Sequence, residues 1–133
     1  MVLQSLLLAG VLFAAQTPTT DTTFTVEYAG KKYEFRVPGQ DLQKTPAWPA
    51  GQDNPPLSPR RAIDAASRQL AALLPNGKDW RLYEVTLRQI ENRWIYLVEF
   101  LEPLREGNGR QVSTGFQIPV LMNGVAVAPT GRN

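Results

Sequence analysis

Alternating apolar and polar residues predict two strands near the start of the chain. In residues 23–28 every second side chain is apolar or aromatic, and residues 32–37 repeat the pattern. A period of two residues is typical of strands with one buried face. The intervening Ala29-Gly30-Lys31 has the composition of a turn, so we predict a β-hairpin.

A helical period appears after residue 57. Ser58 suits the N-cap position, and Pro59 suits the first position of a helix. Apolar residues then recur along one helical face. These residues are Ala62, Ile63, Ala66, Leu70, Leu73 and Leu74. Pro75-Asn76-Gly77 ends the helix, and we expect Leu70 and Leu73 to face a sheet.

Three further strands are predicted beyond the helix. Residues 81–89 alternate, with apolar positions at Tyr83, Val85 and Leu87. Residues 93–101 are apolar at successive positions, which indicates a central strand that is covered on both faces. A charged loop at 102–111 precedes the alternating residues 116–120. Asn123-Gly124 then favours a two-residue type I′ turn that returns residues 125–128 alongside.

These elements predict an α+β fold in which one amphipathic helix packs on an antiparallel sheet of four to six strands. A chain of 133 residues has the length of one domain. We place that domain at residues 21–129.

Residues 38–57 contain five prolines and interrupt the pattern. That density predicts a loop without helix or ladder. Trp48 is its largest apolar residue and stands next to Pro49. A tryptophan in such a loop either docks back onto its own domain or anchors a partner. We expect the first, with the loop acting as a strap.

The first residues predict export. Residues 6–15 form an apolar run that is too short for a bilayer core, which needs about 20 residues. We therefore predict a signal peptide at residues 1–16 and a periplasmic or secreted protein. No cysteine follows the run, so a lipoprotein anchor is not expected.

Composition excludes several kinds of chemistry. Histidine and cysteine are both absent, which removes Ser-His-Asp and Cys-His catalysis, disulfides and the usual zinc sites. The formal net charge is +2, too small to indicate nucleic acid as the partner. We expect no cofactor and no metal.

A resemblance to known exported domains is carried by three segments. They are Ala62-Ile63-Asp64-Ala65-Ala66 on the helix, Trp94-Ile95-Tyr96-Leu97-Val98-Glu99-Phe100 in the middle strand, and residues 116–120 before a glycine turn. This order resembles the PepSY-like and cystatin-like group, in which a helix is wrapped by an antiparallel meander. The resemblance implies that fold and suggests modulation of a protease. The inhibitory motif of cystatins is not present as such, so no functional residue carries over.

We therefore expect a non-catalytic binding module whose partner is another exported or envelope protein. Its candidate partner-binding residues are Trp48, Trp94 and Tyr96. The alternative is a small-molecule pocket or an enzyme with its ligand between helix and sheet. In that case Glu99 would face the core and need an arginine partner, for which the choices are Arg81, Arg88 and Arg93.

Overall fold

A computed structural model describes residues 20–104 and 114–130. The predicted signal peptide and most of the predicted loop at 102–111 lie outside the described residues. The elements are β1 (Thr22–Tyr28), β2 (Lys31–Val37), α1 (Gly39–Gln43), α2 (Pro59–Leu73), a 3₁₀ turn (Gly77–Asp79), β3 (Arg81–Ile90), β4 (Arg93–Leu101) and β5 (Gly115–Leu121). The predicted α+β class is confirmed. None of the described helices has the length and apolar character needed to cross a membrane.

The strands form two antiparallel sheets rather than the single sheet that was predicted. β1 pairs with β2, and β3, β4 and β5 form a three-stranded sheet in that order. Residues 125–130 lie between the two sheets. Ala126 bridges to Val120 of β5, and Thr130 bridges to Glu34 of β2. The segment therefore joins the sheets at isolated points.

Prolines explain why this junction is not a continuous ladder. The N–H of Val127 donates to the carbonyl of Pro119 at 2.9 Å, and the N–H of Thr130 donates to the carbonyl of Glu34 at 2.7 Å. Pro119 has no N–H to return the bond from Val127, and Pro129 supplies no N–H donor beside Thr130. The junction consequently has bridges where a sixth strand would have a ladder.

β4 is the centre of the core. Ile95, Tyr96, Leu97 and Val98 are each at most 2% exposed. Successive residues of a strand point to opposite faces, so both faces of β4 are covered, as predicted. α2 packs against β4 and β5. Phe116 of β5 contacts an aromatic group from other elements, comprising Tyr28, Tyr33, Phe35 and Trp80.

α2 begins and ends where the sequence predicts. The Ser58 hydroxyl accepts the N–H of Arg61 at 3.3 Å, which is the expected N-cap bond. Leu70 is fully buried, whereas Leu73 is half-buried. Gly77 follows the helix, and a Cβ at this position would collide with the Leu70 carbonyl. The turn back to the sheet therefore passes too close to the helix backbone for a side chain.

The Asn123-Gly124 turn differs from the predicted type I′ turn. Of these two residues only Gly124 has a positive φ, at 85°. The N–H of Gly124 donates to the carbonyl of Leu121, and the N–H of Leu121 donates to the carbonyl of Val125. These bonds define a three-residue loop that ends in a left-handed glycine. The extra residue accommodates the change from strand β5 to the irregular junction.

Tyr83 points outward in the structure, whereas the sequence pattern predicted that it points inward. The register of β3 on β4 shifts between Leu82 and Glu84, so Tyr83 is the extra residue of a β-bulge. Its side chain is 62% exposed, whereas Val85 and Leu87 are half-buried as expected. The two-residue period predicted a core position because it carries no information about bulges.

α1 corrects the prediction that residues 38–57 contain no helix. Pro38 occupies the N-cap of α1, where a missing N–H costs nothing, and the next proline is Pro46. The proline-free residues between them are enough for one short helix. The Asp21 carboxylate accepts the N–H of Gly39 at 3.0 Å and also pairs with the Arg36 guanidinium.

The Leu70→Ala variant should lower the free energy of unfolding by about 2–5 kcal/mol, because it opens a cavity under α2. Chemical denaturation measures this loss. Arg68→Ala on the exposed face of the same helix is the control and should change stability by less than about 0.5 kcal/mol. Equal losses in both variants would contradict the described helix face.

The Asp21 carboxylate should make the fold sensitive to acid. Its hydrogen bond from Arg36, assisted by the N–H of Gly39, holds the pKa of Asp21 below its ordinary value of 3.8. Its stabilising contribution is therefore present above that value and is lost as pH falls through the lower folded-state pKa. Thermal unfolding of Asp21→Asn should lose less stability on acidification than the wild type. Asp53→Asn, at an exposed carboxylate, should follow the wild type.

Candidate functional site

The proline-rich residues 38–57, here called the strap, are anchored by small buried groups. Leu42 and Thr45 are each 3% exposed, and Leu57 is 7% exposed. The Thr45 hydroxyl donates to the carbonyl of Leu42 at 2.6 Å, which satisfies the buried polar group. The strap is thus fixed at both ends.

Arg93, the first residue of β4, fastens the strap to the sheet. Its Nε donates to the carbonyl of Thr45 and its Nη2 to the carbonyl of Gln43, both at 3.3 Å. The Gln43 amide donates in turn to the side-chain oxygen of Asn92 at 3.1 Å. One guanidinium therefore satisfies two carbonyls at the end of α1, where helix carbonyls lack partners within the helix.

Trp48 and Trp94 form an edge-to-face pair beside this clamp. Their ring centres are 5.2 Å apart and the planes meet at 64°, a favourable geometry for aromatic rings. Both side chains are half-buried. Strand position places Trp94 at the start of β4, and the strap brings Trp48 to it. We call these two residues the aromatic patch.

A tight turn holds the Trp48 ring in place. The indole N–H donates to the carbonyl of Gln52 at 2.8 Å. The N–H of Gln52 donates to the carbonyl of Pro49, and Gly51 between them has a φ of 93°. A positive φ at the third position is the signature of a type II turn, which glycine adopts without strain.

Tyr96 does not reach the surface, so it cannot present its ring to a partner as predicted. It is 1% exposed, and its hydroxyl donates to the carbonyl of Leu57. Burial raises the pKa of this hydroxyl. Tyr96 lies on the same strand face as Trp94, but the end of the strap covers it. Its role is to hold the strap on β4.

Glu99 lies at the rim of the sheet rather than in a cavity. It is half-exposed, and its cross-strand neighbours are Glu84 on β3 and Gln117 on β5. Two of the three arginines that could have paired with it are engaged elsewhere. Arg93 binds the strap, and the Arg88 guanidinium lies 5.6 Å from the centre of the Phe24 ring. Within residues 20–104 and 114–130, no arginine forms an ion pair with Glu99.

A shallow groove of about 280 Å³ lies at the β1–β2 turn. Its lining consists of Glu27, Tyr28, Ala29, Gly30, Lys31 and Lys32. The Tyr28 hydroxyl donates to Glu102 at 2.8 Å, which ties this turn to the end of β4. The groove has the shape of a turn surface and lacks the apolar enclosure of a small-molecule site.

From the sequence, Trp48 was the expected main anchor of the strap, with Leu42 and Leu57 as minor contributors, and the clamp by Arg93 was missed. Leu42 and Leu57 are buried more deeply than Trp48, although the indole is the larger apolar group. The spacing of Leu42 and Thr45 within one helical turn was the available signal. Arg93 gave no signal, because a side chain that binds main-chain carbonyls has no sequence pattern of its own.

The Trp48→Ala variant should reduce the free energy of unfolding by about 1 kcal/mol, since the indole loses a half-buried contact and a hydrogen bond. In the folded state of a chain in which Trp80 and Trp94 are replaced by phenylalanine, Trp48 fluorescence should be blue-shifted relative to that of the denatured chain. Ala47→Gly, at the exposed neighbour, controls for backbone effects. A water-exposed indole spectrum with unchanged stability would contradict the contact.

Comparison of the chain with protein-family models, with curated proteins and with solved structures found no match.

Proposed function

We propose that the protein is an exported, non-catalytic binding module whose partner is another exported or envelope protein. The contact surface in this proposal is the aromatic patch together with the exposed strap residues Pro46, Ala47 and Pro49. The observation that supports it is the half-exposed Trp48–Trp94 pair, held at the surface by its own turn and by the Arg93 clamp.

The physics of interfaces favours such a surface. Tryptophan is enriched among the residues that contribute most to protein association, because it offers a large apolar area with few rotatable bonds. Prolines and the turn at Gly51 restrict the strap before binding. A partner would therefore lose little conformational entropy in ordering this surface, and more of the contact energy would remain as affinity.

The alternative of a pocket between α2 and the sheet receives less support. It would need Glu99 and an arginine to converge on a cavity. The side chains of the helix–sheet interface, such as Ala66, Leu70 and Val98, are instead at most 1% exposed. Glu99 lies outside this interface. The buried layer therefore contains apolar side chains and lacks the acid–base pair that the alternative needs.

Capture of partners by surface variants tests the proposal. Ala47→Arg places a long charged side chain beside the patch and leaves both indoles intact. Ala71→Arg makes the same change on an exposed position of α2 and serves as the matched control. From an envelope fraction, a partner should be recovered equally by the wild type and Ala71→Arg. Recovery by Ala47→Arg should fall at least about tenfold, the effect of a disrupted hot spot.

Thermal unfolding of the two arginine variants should be the same as that of the wild type, because both substituted positions are exposed. Equal recovery of the partner by Ala47→Arg would contradict the aromatic patch as the contact surface. Recovery by Ala47→Arg and loss by Ala71→Arg would move the surface to α2.

A further inference from the structure

β3 is an edge strand with apolar residues exposed to solvent. Among the described residues it pairs with β4 alone. Leu82 is 41% exposed and Tyr83 is 62% exposed, whereas Val85 and Leu87 are half-buried at the margin of the core. An open edge with apolar side chains is a template for pairing with another strand.

The direction of the backbone groups can be followed from β5 to β3. The N–H of Leu121 and the carbonyl of Pro119 both bond to residues 125–130, so these groups point away from β4. Leu97 is opposite Pro119, and it is also opposite Thr86 of β3. Because backbone groups alternate in direction along an antiparallel strand, Leu97 directs its own groups toward Thr86.

This alternation identifies which backbone groups of β3 point to the open edge. Thr86 directs its N–H and carbonyl toward β4, so Val85 and Leu87 on either side direct theirs to the open edge. A strand that adds at this edge must therefore bond to Val85 and Leu87. Thr86 would lie at a position without inter-strand bonds, where opposing side chains approach most closely.

Side chains of opposite charge flank Thr86 at equal distances along β3. Glu84 precedes Thr86 by two residues, and Arg88 follows it by two. In an antiparallel pair of two β3 strands centred on Thr86, Glu84 faces Arg88 of the second copy on both sides of the centre. The same register pairs Val85 with Leu87 of the second copy, so their free backbone groups bond to each other.

Among residues 20–104 and 114–130, Glu84 forms no ion pair. Its cross-strand partner on β4 is Glu99, and like charges in directly opposite positions are destabilising. An arginine on the open side of Glu84 would compensate for this repulsion. Arg88 is exposed and is held near the edge by its contact with Phe24.

We propose that the protein forms a dimer in which two β3 strands pair antiparallel about a two-fold axis at Thr86. The pairing joins two three-stranded sheets into one sheet of six strands. The occupant of the edge is a second copy, because the complementarity is between residues placed symmetrically about one point of this strand. This proposal is independent of the aromatic patch, which lies on the strap and at the start of β4.

Other registers fit less well. An axis at Leu87 would place Glu84 opposite Ile90 of the second copy and Val85 opposite Gln89. An axis at Arg88 would place two guanidinium groups opposite each other, which is repulsive. Only the axis at Thr86 satisfies both charges and both free backbone positions of the segment from Glu84 to Arg88.

The same structure limits the assembly to two copies. The bulge at Tyr83 ends the regular edge, so pairing cannot extend past Glu84. The other edge of the sheet, β5, is covered by residues 125–130. A two-fold pair uses the β3 edge of each copy and leaves no regular edge of the three-stranded sheet for a third copy.

The absence of cysteine from the chain permits a direct test by a single introduced cysteine. Thr86→Cys would place two thiols across the axis at a separation suited to a disulfide. Under mild oxidation this variant should become a covalent dimer in good yield. Thr25→Cys, an exposed threonine on β1, is the matched control and should remain largely monomeric.

Charge exchange tests the register. Glu84→Arg and Arg88→Glu should each weaken dimerisation at least about tenfold, because both changes place like charges across the axis. A mixture of the two variants should form a heterodimer, since each charged pair is then restored. The Arg88→Glu variant loses its contact with Phe24 both alone and in the mixture. Loss of this contact therefore cannot explain the recovery of dimerisation in the mixture.

Sedimentation velocity over a concentration series measures these equilibria. A wild type that stays monomeric up to its solubility limit would overturn the proposal. So would equal crosslinking of Thr86→Cys and Thr25→Cys, or a mixture that associates no better than its components. A dimer that survives all of the charge variants unchanged would show that the copies meet at another surface.

Discussion

The need to cover β4 on both faces is the constraint on which the rest of the structure depends. Four successive residues, from Ile95 to Val98, are fully buried. A strand of this composition cannot face water on either side. α2 packs on this sheet, and the β1–β2 hairpin and the strap add further cover through Phe116 and Tyr96. The aromatic patch therefore lies where the covering layer meets the start of β4.

The local elements of the fold could be predicted because their signals are local. The period of two residues identified the strands, and Ser58-Pro59 identified the start of α2. The division into two sheets could not be predicted, because it depends on how residues 125–130 meet β5 and the distant strand β2, where the carbonyl of Glu34 accepts the N–H of Thr130. The bulge at Tyr83 was missed for a related reason. It is set by the register between two strands, and one strand alone does not encode it.

The site shows the same division between local and tertiary information. An isolated tryptophan in a proline-rich loop indicated docking onto the domain, and the structure places Trp48 against Trp94. The two residues that fasten the strap, Arg93 and Tyr96, bind main-chain carbonyls. Such bonds depend on where the backbone passes and not on which side chains it carries. Tyr96 was a candidate partner-binding residue on a correctly identified strand, and its burial under the strap keeps its ring from the surface.

The junction at residues 125–130 has a consequence for biosynthesis. Thr130 meets Glu34 across a separation of 96 residues, and Phe116 of β5 packs on the aromatic residues of the β1–β2 hairpin. The β1–β2 hairpin can form early, because its contacts are local. It cannot be fixed to the three-stranded sheet until the ribosome has released the residues that lie between them. The closing of the two sheets on each other is therefore a late step, which follows the local formation of the hairpin and of α2.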